Sequence, residues 1–133
     1  MKDERLGKQP PKVRILVLDD EAGIRMMLSR HLSARGYTVE TAEDASRAWN
    51  MLSNQRYDAF IFDLRLPGSG IEALYQQMRN MDNTLADRVI FITGDLIGLG
   101  NKDFLSRAGN PVVEKPFDLS VLDEQLRPLL DRL

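Results

Sequence analysis

An open, doubly wound α/β fold built on a five-stranded parallel sheet is the class that the sequence predicts, on three observations. Strand-like and helix-like segments alternate five times along 133 residues, the pattern of parallel strands joined by crossover helices. The runs Ile15-Leu16-Val17-Leu18, Phe60-Ile61-Phe62 and Val89-Ile90-Phe91-Ile92 are apolar without alternation, as in strands covered on both faces. The unusual polar residues fall where such runs end: Asp19-Asp20-Glu21 after the first, Asp63 after the third, Thr93-Gly94-Asp95 after the fourth and Lys115-Pro116 after the fifth. In open sheets of this kind ligands bind at the carboxyl ends of strands, where the strand order reverses.

Length and composition narrow the class further. A chain of this size is one domain and buries roughly two thirds of its unfolded surface. With no cysteine it has neither a disulfide framework nor a thiolate metal site. No apolar run approaches the roughly twenty residues that span a bilayer, and the charged segment from Met1 to Lys12 has no signal-peptide core. We therefore expect a cytoplasmic protein without membrane association. A net charge of -2 and a pI near 5.4 give no basic footprint, so direct nucleic acid binding is not expected.

Residues 1–12 are polar, end near Pro10-Pro11, and read as a flexible leader to a domain over 13–133. After the first strand, a helix from about Ala22 to Arg35 places Ile24, Leu28 and Leu32 on one stripe, and Gly36 supplies its left-handed stop. Tyr37 to Thr41 is the second strand. Glu43-Asp44 opens a second helix whose stripe of Ala45, Ala48, Trp49 and Leu52 faces the core, with Trp49 inside. Beyond the Asp63 strand, Gly68-Ser69-Gly70 turns into a third helix, Ile71 to Asn80, with Leu74 and Met78 inward. Arg88 to Thr93 is the fourth strand. Gly98 and Gly100 shorten the following helix to about Lys102–Ala108, since an interior glycine costs about 1 kcal/mol relative to alanine. Val112 to Glu114 leads to a last helix, about Leu119 to Arg132, with Leu122, Leu126 and Leu129 inward and Pro128 as an interruption.

If the first, third, fourth and fifth strands are neighbours, Asp19, Asp20, Asp63, Thr93 and Lys115 meet at one edge. Carboxylates about 5 Å apart repel by roughly 3 kcal/mol per pair at an effective dielectric of 20, so cationic charge must offset them. Lysine supplies part. An oxygen-rich cluster without sulfur or histidine suits a hard divalent ion, with magnesium the leading candidate. A metal, a lysine and a hydroxyl around one aspartate make chemical sense for phosphoryl transfer onto Asp63 as nucleophile.

With these residues in view, the chain resembles the receiver domain of bacterial two-component response regulators over about Val13 to Leu133. The resemblance is carried by Leu18-Asp19-Asp20-Glu21, Phe62-Asp63-Leu64-Arg65-Leu66-Pro67, Thr93-Gly94 and Lys115-Pro116-Phe117. It implies a flavodoxin-like, three-layer α/β/α fold with strand order 2-1-3-4-5. It further implies that Asp63 carries the phosphoryl group, that Asp19, Asp20, Asp63 and the backbone carbonyl of Arg65 bind Mg2+, and that Thr93 and Lys115 contact the phosphoryl oxygens. The expected partner is a histidine kinase or histidine phosphotransfer domain, docking near helix one on Gly23, Ile24, Met27, Arg30 and His31. Phosphotransfer and autodephosphorylation would be self-catalysed rather than multiple-turnover. The Lys115-Pro116 peptide is expected to be cis.

Three positions depart from the family pattern. Gly70 lies seven residues after the acceptor where the usual spacing is eight, Val112 replaces an aromatic three before the lysine, and Gly98 and Gly100 weaken the fourth helix. The run Gly109-Asn110-Pro111-Val112-Val113-Glu114-Lys115-Pro116-Phe117 resembles receivers attached to hybrid histidine kinases. Arg65 and Asp95 are expected to pair across the mouth of the site, and the loop holding Gly94, Gly98 and Gly100 to be mobile. The alternative to a phosphoacceptor is a receiver-like protein-binding module that works without phosphorylation. A dehalogenase-type hydrolase needs an acid where Arg65 stands, and Gly98-Leu99-Gly100 lacks the third glycine of a dinucleotide fingerprint.

Overall fold

The structure, a computed structural model, describes residues 12–64, 70–94, 101–116 and 118–131. Apart from Lys12, the predicted leader lies outside them. Five strands, β1 (Arg14–Leu18), β2 (Thr38–Ala42), β3 (Ala59–Asp63), β4 (Val89–Thr93) and β5 (Val112–Glu114), form one parallel sheet in the order β2-β1-β3-β4-β5. Helices α1 (Ala22–Ala34), α2 (Ala45–Asn54), α3 (Ile71–Met81), α4 (Asn83–Ala86), α5 (Asn101–Ala108) and α6 (Leu119–Leu130) connect and flank them. The chain leaves β1 for β2 on one side and returns to β3 on the other, so the order reverses between the carboxyl ends of β1 and β3.

The unbroken apolar strands work because successive side chains point to opposite faces. Leu16, Leu18, Phe60, Phe62 and Phe91 enter one core with Leu52, Leu74, Met78 and Phe104 of α2, α3 and α5. Ile15, Val17, Ile61, Ile90 and Ile92 enter a second core with Leu28 and Leu32 of α1 and Leu122, Leu126 and Leu129 of α6. Trp49 is only half-buried and packs at the rim of the first core, with Ala48 and Leu52 taking the inward positions.

Helix ends follow local chemistry. Gly36, at φ 94°, takes the left-handed conformation that ends α1. Asp44 and Asp118 cap α2 and α6 by accepting the backbone N–H groups of Arg47 and Ser120. Asp82 does the same for Thr84 and thereby starts α4, an element too short for any periodicity to announce. Pro128 sits exposed in the last turn of α6, where the one amide bond it removes is tolerated between the buried Leu126 and Leu129.

A polar network braces the α3 side. Tyr75, Phe91 and Phe104 form a three-ring stack with centroids 5.4 to 5.5 Å apart. Val112 packs, half-buried, against that same core. The Tyr75 hydroxyl donates to Asn110 Oδ1 at 2.7 Å, and Asn110 Nδ2 donates to the carbonyls of Ala86 and Val89, each at 2.8 Å. Arg79 donates in turn to the Tyr75 hydroxyl. Replacing Asn110 by alanine strands two carbonyls and a hydroxyl, each with a desolvation penalty of about 1–3 kcal/mol when water cannot reach it. Urea unfolding of Asn110→Ala should therefore show a loss of about 2 kcal/mol or more, carried by a lower midpoint at unchanged slope.

Candidate functional site

Strand register brings the predicted residues to one place. Leu18 is level with Phe62 and Asp63 with Ile92, so Asp19 stands beside Asp63, and Thr93 follows one residue further out. Thr93 is level with Glu114, and the N–H of Lys115 donates to the Thr93 carbonyl at 2.7 Å. Asp19, Asp63 and Thr93 are all buried, while Asp20 is exposed at the rim. The Lys115-Pro116 peptide is cis, as expected.

Lys115 reaches back over the carboxylates. Its Nζ lies 3.0 Å from Asp63 Oδ1, 3.9 Å from Asp19 Oδ2 and 3.8 Å from Glu21 Oε1. Oxygen atoms of Asp19, Asp20 and Asp63 all lie within 4.8 Å of one another. The group opens into a cleft of about 260 Å³ whose wall continues through Glu43, Asp44 and Ile71. Hard donors converging on a small space, with Asp19 and Asp63 buried, are what a hard divalent cation needs, so the residues present fit one. Two further residues, Glu21 and Arg25, carry contacts at the site that the sequence pattern does not announce. Glu21 touches the lysine, and Arg25 donates from NH1 to the Asp19 carbonyl at 2.7 Å. Both contacts depend on how the β1 to α1 connection folds back, and the only trace in the sequence is a basic residue four positions after Glu21.

Burial pushes the Asp19 carboxyl up, from 3.8 to about 6, with the neighbouring Asp63 adding to the rise; the Glu21 N–H, 2.9 Å from Asp19 Oδ1, and Lys115 oppose it. Arg65, Asp95, Gly98 and Gly100 lie outside the described residues, so the expectations about the Arg65 carbonyl, the Arg65–Asp95 pair and the mobility of the loop fall there too. Gly70 adopts φ 92° at the start of α3, and a Cβ built on it would lie 3.3 Å from the Ala45 Cβ. His31, expected at a docking surface, has its Nε2 3.0 Å from both carboxylate oxygens of Asp123 on α6, and Arg35 shares that carboxylate.

Comparison with known proteins gives a consistent result. A family model described as the response regulator receiver domain matches residues 15–127. The response regulator MprA of Mycobacterium ulcerans is 35% identical over 121 residues, which cover 90% of this chain and 51% of that protein. Its counterpart in Mycobacterium tuberculosis is 34% identical over the same length. The chain thus spans about half the length of these relatives. A CheY-like receiver domain protein from Methanospirillum hungatei superimposes with a TM-score of 0.81 at 27% identity, covering 92% of this chain and 96% of the other. Response regulator TrrA from Thermotoga maritima, solved in complex with Mg(2+)-BeF, gives 0.76 at 30% identity, covering 89% and 99%.

The raised Asp19 pKa has a defined sign. Because the folded form takes up a proton near pH 6 and the unfolded form only near 3.8, the metal-free protein gains stability from this group as pH falls from 7 towards 5. Linkage makes the gain roughly 1 kcal/mol. Thermal unfolding in chelator should show it in the wild type and not in Asp19→Asn.

Proposed function

We propose, for a chain that belongs to the response regulator receiver domain family, that Asp63 is the phosphoacceptor of a two-component phosphorelay. The observation that carries this is the cluster of three carboxylates with Lys115 Nζ 3.0 Å from Asp63 at the switch point of the sheet. In this reading one Asp63 oxygen attacks the phosphorus of a phosphohistidine. The P–N bond breaks, its electron pair stays on the imidazole, and the aspartyl phosphate forms. Lys115 holds charge on one phosphoryl oxygen and the Thr93 hydroxyl hydrogen-bonds another. Asp19, Asp20, Asp63 and the Arg65 carbonyl would hold Mg2+, which, when bound, neutralises charge on the transferring oxygens. The Mg(2+)-BeF complex of the Thermotoga relative supports that choice of ion. Hydrolysis by water returns Asp63 to its starting state, so the cycle is self-catalysed.

The phosphodonor is a histidine kinase or a histidine phosphotransfer domain docking near α1, where Met27 and Arg30 are exposed beside the site and Ile24 is half-buried. His31 contributes by holding α1 to α6 through Asp123. A cytoplasmic location follows from that partnership. Among the described residues no helix is long and apolar enough to cross a membrane.

Incubation with labelled acetyl phosphate and Mg2+ should give a base-labile label on the wild type, none on Asp63→Asn and none in excess chelator. Lys115→Ala should slow labelling by about a hundredfold, the scale set by removing one preorganised donor from a developing oxyanion. If Asp63→Asn keeps the label, the acceptor is elsewhere. Replacing Met27 and Arg30 together by glutamate should slow transfer from a phosphorylated kinase while leaving acetyl phosphate labelling unchanged; equal rates from both donors would remove α1 from the docking surface.

A further inference from the structure

The geometry points to Arg25 as a positioning residue for cation binding, a role that rests on the magnesium reading of the acidic cluster. β1 ends at Leu18 and α1 begins at Ala22, so Asp19, Asp20 and Glu21 are the whole connection between them. Two of the three carboxylates of the cluster therefore sit on a three-residue bend. A bend that short has few internal bonds to define it, and Glu21, the N-cap of α1, makes no side-chain cap. Bonds to its backbone help to define the bend.

Several of those bonds fall on Asp19. The N–H of Asp19 donates to the Ala42 carbonyl at 3.1 Å, and Asp19 Oδ1 accepts the Glu21 N–H at 2.9 Å. Asp19 is thereby held through its own amide and its own carboxylate. The carbonyl of Asp19 belongs to the peptide plane shared with Asp20, and it accepts Arg25 NH1 at 2.7 Å. The Arg25 backbone N–H donates to Glu21 O at 3.1 Å, which fixes the base of the same side chain against the bend. Arg25 is half-buried and closes the bend from the helix side. The orientation of the Asp19–Asp20 peptide sets the direction in which the exposed Asp20 carboxylate leaves the backbone, so Arg25 acts on cation binding through Asp20.

Two effects of the guanidinium have opposite signs. As a positive charge near carboxylates it disfavours a cation; as a donor that orients the bend it favours one. Partners that orient metal ligands typically change affinity by about tenfold or more when removed, whereas exposed and half-exposed charges are screened. Positioning wins. α1 itself is anchored by Leu28 and Leu32, both fully buried in the second core, so the helix does not depend on Arg25.

The test is calorimetric titration of the full chain with Mg2+ alone, comparing wild type, Arg25→Met and Arg25→Lys. Arg25→Met should bind about tenfold more weakly with its far-ultraviolet circular dichroism unchanged, and Arg25→Lys, which keeps a donor and the charge, should recover most of the affinity. Unchanged or tighter binding by Arg25→Met overturns the inference, because charge then outweighs position. Loss of helical signal in metal-free Arg25→Met also overturns it, by making Arg25 a residue of the fold. Failure of the wild type to bind Mg2+ is a different result and counts against the proposed function itself.

Discussion

Crowding of like charge at the carboxyl edge of the sheet is the constraint on which this structure turns. Asp19 and Asp63 are buried side by side with Asp20 at the rim, and among the described residues Lys115 is the cation ion-paired to them. That lysine also lies 3.8 Å from Glu21, so negative charge outweighs positive among the described residues of the cluster, which suits a hard divalent ion. Repulsion on this scale, roughly 3 kcal/mol per pair at an effective dielectric of 20, cannot be held by flexible loops. It is held because Asp63 ends a strand buried at every position, and Asp19 directly follows one buried from Ile15 onward. Fully burying one large apolar side chain contributes roughly 1.5–3 kcal/mol, and β1, β3 and β4 drive many of them into cores on both faces.

The same frame explains why the site is arranged before any reaction. Asp19 is fixed by bonds to its N–H, its carbonyl and its carboxylate, and Lys115 is carried on a backbone bonded directly to Thr93. Groups that already point where charge will develop do not reorganise during transfer, which is the larger part of electrostatic catalysis. The raised pKa of Asp19 has the same origin, burial beside Asp63.

Sequence patterns revealed those parts of the molecule whose cause is local. The apolar runs of β1, β3 and β4 announced strands covered on both faces, and Gly36 and Asp44 marked helix ends through backbone chemistry that needs no tertiary partner. Asp63, Asp19 and Lys115 were legible because each interrupts or ends an apolar run. α4 was not legible, since Asp82 starts it with a single capping interaction over four residues. Trp49 was placed too deep because its stripe is shared with Ala48 and Leu52, which fill the inward positions first. Arg25 and the His31–Asp123 pair were invisible for another reason: their roles come from contacts made only after folding, in the second case between residues 92 apart.

The two faces of the sheet are tied to the site by different means. On the α1 side the link is polar: Arg25 holds the bend carrying Asp19 and Asp20, and about two to three turns further along His31 and Arg35 clasp Asp123 of α6. On the α3 side it is apolar. Thr93 and Phe91 lie two residues apart on β4 and so point to the same face, where the Phe91 ring meets Tyr75 of α3 and Phe104 of α5. Val112 brings no ring to this face and packs, half-buried, against the core that holds the three rings. A hydroxyl at the site and an aromatic stack beneath two helices are therefore parts of one strand, and any displacement of Thr93 that moves β4 moves that stack with it. Close packing makes such contacts discrete rather than compliant.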